Sequence, residues 1–198
     1  MAKPSDSPSA PAPLHLRSQR EWEAWLRKHH ADTDGAWLRI AKAGAPEASV
    51  SYAEAIESAL CWGWIDGQKK GLDDAWWLQR FTPRRARSIW SKINCAKAEA
   101  LVANGRMQPA GLQEIERAKA DGRWDEAYDG ARSSTVPDDL QAALDAQPAA
   151  RAFFATLDGA NRYAVLWRVQ TAKKPETRAK RIALLVDMLA RGEKIHAR

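Results

Sequence analysis

Cysteine is nearly absent from this chain: Cys61 and Cys95 are the only two among 198 residues. Neither belongs to a Cys-x-x-Cys pair, and each sits beside apolar residues in a helical pattern. Both are therefore expected as buried free thiols, not as a disulfide. Histidine is scarce too. His15, His29, His30 and His196 all lie outside the most distinctive segment, and the adjacent His29 and His30 point in two directions on a helix. A metal centre or a histidine-based triad has little to build on, and no metal or cofactor is expected. No Walker loop and no GxGxxG occurs. No apolar run approaches the length that spans a bilayer, and the first thirteen residues, MAKPSDSPSAPAP, lack the apolar core of a signal peptide. A cytoplasmic protein without transmembrane segments is the expectation.

What the chain does have is tryptophan and arginine in one place. Five of its ten tryptophans fall between Trp62 and Trp90. Residues 61–95 also carry seven Lys or Arg against three Asp, so large apolar rings and cationic forks share one stretch. Residues 162–198 are more basic still, with net charge +7, while the whole chain is only +6. Two basic regions on an otherwise acidic body favour an anionic partner. With 45% hydrophobic and 28% charged residues the chain has no disordered or fibrous bias and can bury one good core or two small ones.

Local signals order the elements. Leu14-His-Leu-Arg alternates like a short strand, and Ser18-Gln-Arg-Glu21 opens a helix as a capping box, with Trp22, Trp25, Leu26 and His29 on one face. Gly35 stops it, and Ala36–Ala41 has the length and composition of a strand. Ser51-Tyr-Ala-Glu54 caps a second helix. Ile65-Asp-Gly-Gln and Gly71-Leu-Asp-Asp read as turns, and residues 76–81 read as a strand ending at Thr82-Pro83. Ser88 or Ser91 can cap a helix carrying Ile93, Leu101 and Val102 inward. Pro109, Pro137, Pro148 and Pro175 each precede helical patterns. The expected fold is α+β, a small antiparallel sheet packed with helices and followed by a C-terminal all-helical unit. The expected divisions are a disordered leader at 1–13, an α+β domain at 14–124, a linker at 125–135 and a helical unit at 136–198.

Five stretches, ALCWGWIDGQ at 59–68, LQRFTPR at 78–84, WSKIN at 90–94, NGRMQPAGL at 104–112 and KKPETRAKRI at 173–182, resemble the YdeI/OmpD-associated family, the group labelled bacteriocin-protection. The resemblance extends over nearly everything after the leader. It implies tolerance of bacteriocins or antimicrobial peptides and an association with an outer-membrane porin. A second similarity, to YjbR/CyaY-like proteins, implies a small antiparallel sheet against helices. The family brings no catalytic residues with it.

Chemistry then nominates the site. A guanidinium fork matches a phosphate or carboxylate, and hydroxyls or N–H groups at a helix start complete a cradle. Arg80, Arg84, Arg85 and Lys92, with Thr82, Ser91 and Asn94, form such a set, flanked by Trp64, Gln68 and Trp90. On a strand Trp76 and Trp77 face opposite sides, so at most one joins the core while the other is available to a ligand or a packing helix. Asp66 is the one carboxylate in the motif. Its plain reading is an Asp-Gly turn, its functional one a general base or a partner of Arg80 or Arg84. Lys173, Lys174, Arg178 and Arg181 are candidates for contacting an acidic protein or a membrane surface. A non-enzymatic module for an anionic ligand, single-stranded nucleic acid foremost, is expected ahead of a stress-related interaction factor and of an enzyme on a phosphorylated or carboxylated metabolite.

Overall fold

The computed structural model describes residues 12–196, so the leader expected at 1–13 lies almost wholly outside the described residues. The chain divides into two compact units, one formed by residues 12–88 and 94–125, the other by 89–93 and 126–196. The fold is α+β, with one small antiparallel sheet and helices around and after it.

The first unit runs α1 (Gln19–His29), β1 (Ala36–Ala41), α2 (Tyr52–Cys61), β2 (Trp64–Gly71), β3 (Trp76–Pro83), α3 (Lys92–Ala103) and α4 (Pro109–Ala120), the first two residues of α3 counting with the second unit. Ser18 caps α1 through the N–H of Glu21, whose carboxylate accepts from Arg17 N. Ser51 and Glu54 close a full capping box on α2. The sheet order is β1-β3-β2, antiparallel throughout, with Leu14 adding one parallel bridge to Leu38. One sheet face meets α1 and α2 in a core of Trp22, Leu26, Leu38, Ile40, Trp64 and Phe81. Trp22 and Trp64 lie edge to face, 6.2 Å between ring centroids, and both indole N–H groups donate to backbone carbonyls, of Ala55 and His30.

Ile65-Asp-Gly-Gln is not a turn. β2 passes straight through it, and a register shift between Asp66 and Lys69 makes it a bulge. Gln79, buried in the facing strand, holds the bulge: its side-chain amide donates to the carbonyls of Gly67 at 3.0 Å, Gln68 at 3.3 Å and Arg80 at 3.1 Å. An extra residue in one strand leaves backbone groups that a buried amide can satisfy. The inward stripe of α3 also differs from expectation. Cys95, Ala98 and Leu101 are buried at three-residue spacing, whereas Ile93 and Val102 are exposed.

Two motif glycines set how closely α2 and α4 approach. Gly63 has φ +72, and a Cβ there would stand 2.9 Å from the Ala110 carbonyl oxygen. A Cβ on Gly111 would lie 2.7 Å from the Leu60 carbonyl oxygen and closer still to that of Cys61. Nearby, Arg106 bridges Glu23 of α1 at 3.0 Å and Glu57 of α2 at 3.2 Å.

The second unit carries α5 (Asp138–Asp145), α6 (Pro148–Ala155), α7 (Gly159–Gln170) and α8 (Pro175–Ala190) around a core that includes Leu140, Leu144, Phe154, Val165, Leu166 and Leu189. Pro148 and Pro175 stand in the first turns of their helices and Pro137 at the N-cap of α5. No proline announces α7; Asp158 caps it, accepting from Asn161 N at 2.8 Å. Much of the segment expected as a linker is tied into this unit. Tyr128 bridges Ser91, Asp129 N donates to Gln170 Oε1 at 3.0 Å, and Lys92 pairs with Asp129 at 2.8 Å.

A methyl group at Gly111 must push two backbone carbonyls apart. Gly111→Ala is therefore expected to lower the urea midpoint by the equivalent of about 1–3 kcal/mol. Gly71→Ala, with nothing within 4 Å of its added carbon, should stay within about 0.5 kcal/mol of the parent.

Candidate functional site

Alternation along the strands decides which side chains leave the core. The register pairs Trp37 with Arg80, Arg39 with Leu78, Ala41 with Trp76 and Lys70 with Leu78, so these residues share the sheet face opposite α1 and α2. Arg39, Lys70 and Arg80 give this face three cations, and no carboxylate stands among these residues. Arg39 lies over the Trp76 ring, its Cζ 3.9 Å from the centroid, and His15 meets the same ring edge-on at 4.9 Å. Trp76 is thereby only 2% exposed. Its work is to hold a guanidinium plane against the sheet. The buried Nε of Arg39 has no hydrogen-bond partner among the described residues. Lys70, exposed, sits 4.8 Å over the half-buried Trp37 ring. Trp37, Leu78 and Arg80 are all partly open to solvent.

The residues nominated from the sequence do not converge. Arg80 and Thr82 stand on this face. Trp64 is core on the other, 1% exposed. Gln68 is exposed in the bulge and contributes its carbonyl to Gln79. Arg84 is buried, with its backbone N–H donating to Gly63 O at 2.9 Å, and Arg85 is exposed. Trp90, Ser91 and Lys92 count with the second unit; Trp90 and Ser91 are buried there and Lys92 is paired with Asp129. Asn94 is half-buried near the start of α3. Asp66 sits within a strand and accepts the Tyr52 hydroxyl at 2.7 Å, beside Trp77 with its own cation, Lys69, at 4.2 Å. The four basic residues of the second unit are mostly engaged. Lys173 pairs with Glu126, Arg178 forks onto Asp139, and Arg181 donates to the Arg168 carbonyl at 2.8 Å, while Lys174 is exposed at the α8 N-cap. That fork holds the Asp139 carboxyl below the usual range.

Two members of the sheet face, Trp37 and Arg39, escape a reading centred on the tryptophan-dense stretch. Their signal is the alternation of AWLRIA itself, which sends Trp and Arg to one side. Among the described residues no group of three or more His, Cys, Asp or Glu could hold a metal ion, and no helix is long and apolar enough to cross a membrane.

Residues 14–114, just over half of the chain, match the family model described as a domain of unknown function, DUF8412. The chain belongs to that family. All of the strands of the sheet, and with them the candidate face, lie inside this match. Residues 133–192 match a second model, described as Bacteriocin-protection, YdeI or OmpD-Associated. Of the five stretches that carry the YdeI/OmpD resemblance, only KKPETRAKRI falls within it; the first and second fall within the DUF8412 match, as do the third and fourth. Neither match is to a YjbR/CyaY-like model. No curated protein and no solved structure matches the chain.

Burial pushes both thiols up, Cys61 and Cys95 each to about 11, against the opposing pull of Arg106 on Cys61 and Arg84 on Cys95. Both are expected to resist iodoacetamide at pH 8 in the native protein and to react once it is unfolded, as read by mass spectrometry. The stability that goes with the protonated, buried thiols is complete below their ordinary pKa and is lost as pH climbs towards 11, because the unfolded chain ionises first.

Proposed function

We propose that this protein is a non-enzymatic binding module that holds single-stranded nucleic acid on the sheet face formed by Trp37, Arg39, Lys70, Leu78 and Arg80. One observation carries the reading: three cations stand together on that face without a carboxylate among them, beside one partly open indole and one guanidinium stacked on a second. Phosphates need the cations, and bases need flat partners that tolerate any sequence. The outer plane of Arg39 and the ring of Trp37 offer two such partners, and Leu78 between them gives apolar support. A short antiparallel sheet presents its side chains at a spacing that an extended strand can follow. A cytoplasmic setting, where thiols stay reduced, suits the two buried free cysteines.

The inventory for catalysis on this face is thin. Asp66 lies on the opposite side and is engaged by Tyr52, so it is not placed to act as a base beside Arg80. A second reading, a protein-interaction role in bacteriocin protection, is supported by the match over 133–192. It would have to use surfaces other than the paired Lys173 and Arg178.

Fluorescence anisotropy of a labelled oligothymidylate is the test. With three phosphate contacts, log K against log salt should fall with a slope of about −2, and Arg80→Ala should reduce its magnitude by about 0.7. Trp37→Ala should weaken binding by about 1–3 kcal/mol at fixed salt. Absence of binding at low salt, or a Trp37→Ala variant that binds like the parent, contradicts the reading.

A further inference from the structure

We infer that the second unit holds a separate binding site, a cleft along α7 that takes a planar aromatic acid. The cleft encloses about 420 Å³, within the roughly 300–1,000 Å³ typical of small-molecule pockets. It is cut into a helix face. Ala160, Tyr163, Ala164, Trp167 and Arg168 follow at the i, i+3, i+4, i+7 and i+8 spacing of one side of α7, while Val165, Leu166 and Val169 turn to the core. The two alanines leave open the space that a longer side chain would fill, and the rings of Tyr163 and Trp167 line it.

The walls are fixed by bonds within this unit. Tyr128 stands edge-on to Trp167, 6.2 Å between centroids at 90°. The Tyr163 hydroxyl donates to the Asp129 carbonyl at 3.1 Å, which commits its proton and sets the ring. Burial raises the Tyr163 pKa, so the phenol stays neutral at physiological pH. His196 reaches the cleft because residue 161 clasps it. Asn161, 2% exposed, accepts from His196 N at 2.9 Å and donates to His196 O at 3.4 Å, and Ile195 packs on the core next to it.

Ligand class follows from shape and charge. Three aromatic side chains, two of them at right angles, suit an inserted flat ring by edge and face contacts. A cage of aromatics can also take a cation, but Arg168 lines this one and no carboxylate side chain does. Arg168 donates one N–H to the Ala164 carbonyl at 2.9 Å, which anchors the guanidinium; it makes no other side-chain hydrogen bond among the described residues. Its remaining donors fit a carboxylate at the rim of the cleft. The ligand is thus an aromatic ring with an acidic group at its edge, a different occupant from the strand assigned to the sheet face.

The probe is 2-naphthoate, titrated into the full-length 15N-labelled protein beside the neutral 2-naphthalenemethanol and the cationic 2-naphthylmethylammonium. The readout is the indole N–H signal of Trp167, assigned by its loss in Trp167→Phe. A saturable shift with the acid, about tenfold weaker binding of the alcohol and weaker binding still of the cation are expected for one charge-assisted contact. Ala160→Leu, at an exposed position, should abolish the shift by filling the cleft. Arg168→Gln should remove the preference of acid over alcohol, and the dispersion of the other indole signals shows that either variant is folded. No saturable shift at millimolar acid, equal binding of all three compounds, or an Arg168→Gln variant that still prefers the acid would overturn the inference.

Discussion

The pairing of β3 on both of its edges is the constraint on which the first unit depends. A strand bonded to β1 on one side and β2 on the other cannot rotate, so its side chains are committed alternately to two faces. Trp77, Gln79 and Phe81 go to the helices, and Trp76, Leu78 and Arg80 go away from them. A slip of one residue would bury Arg80 and expel Phe81, which is why the register is also the specification of the site. Gln79 reinforces it from inside. Three carbonyls, two of them in the β2 bulge, converge on one buried amide, so the polar cost of the irregularity is met by the central strand itself.

Charge and flatness on the sheet face come from that geometry without any strained backbone. Arg39 is held over the ring of Trp76. Lys70 reaches across Leu78 to Trp37, so β1 and β2 contribute to one surface although β3 separates them. Lys70 is exposed and Arg80 partly open to solvent, which leaves these two cations responsive to salt, whereas the Nε of Arg39 is buried against the sheet. The second unit is organised differently, by a helix whose one face packs and whose other face is hollowed by alanines.

Much of the scaffold was legible because its punctuation is local. Ser51 with Glu54 and the prolines at 109, 148 and 175 act through bonds or dihedral limits that span a few residues, and each stands where its helix starts. Gly35 does not stop α1, which ends at His29 with His30 as its cap; it stands directly before β1 instead. The bulge was not legible, since Asp66-Gly67 makes an equally good turn until Gln79 is brought against it. Helix α7 lacks a proline signal and opens on Gly159, with only Asp158 as its cap. The site was read only in part. Density of tryptophan and arginine along the chain points to Arg80, but not to Trp37 and Arg39, which join it through sheet pairing. Trp64 and Trp90 share that density and are buried, as indoles on average are.

Where a nucleic acid strand touches the protein decides the function of the sheet face. Ultraviolet crosslinking of a bound oligothymidylate, followed by peptide mapping, answers this directly. Crosslinks to the peptides that contain Trp37 and Lys70 are the predicted result. Crosslinks confined to residues beyond 126, with none on β1, β2 or β3, would contradict it.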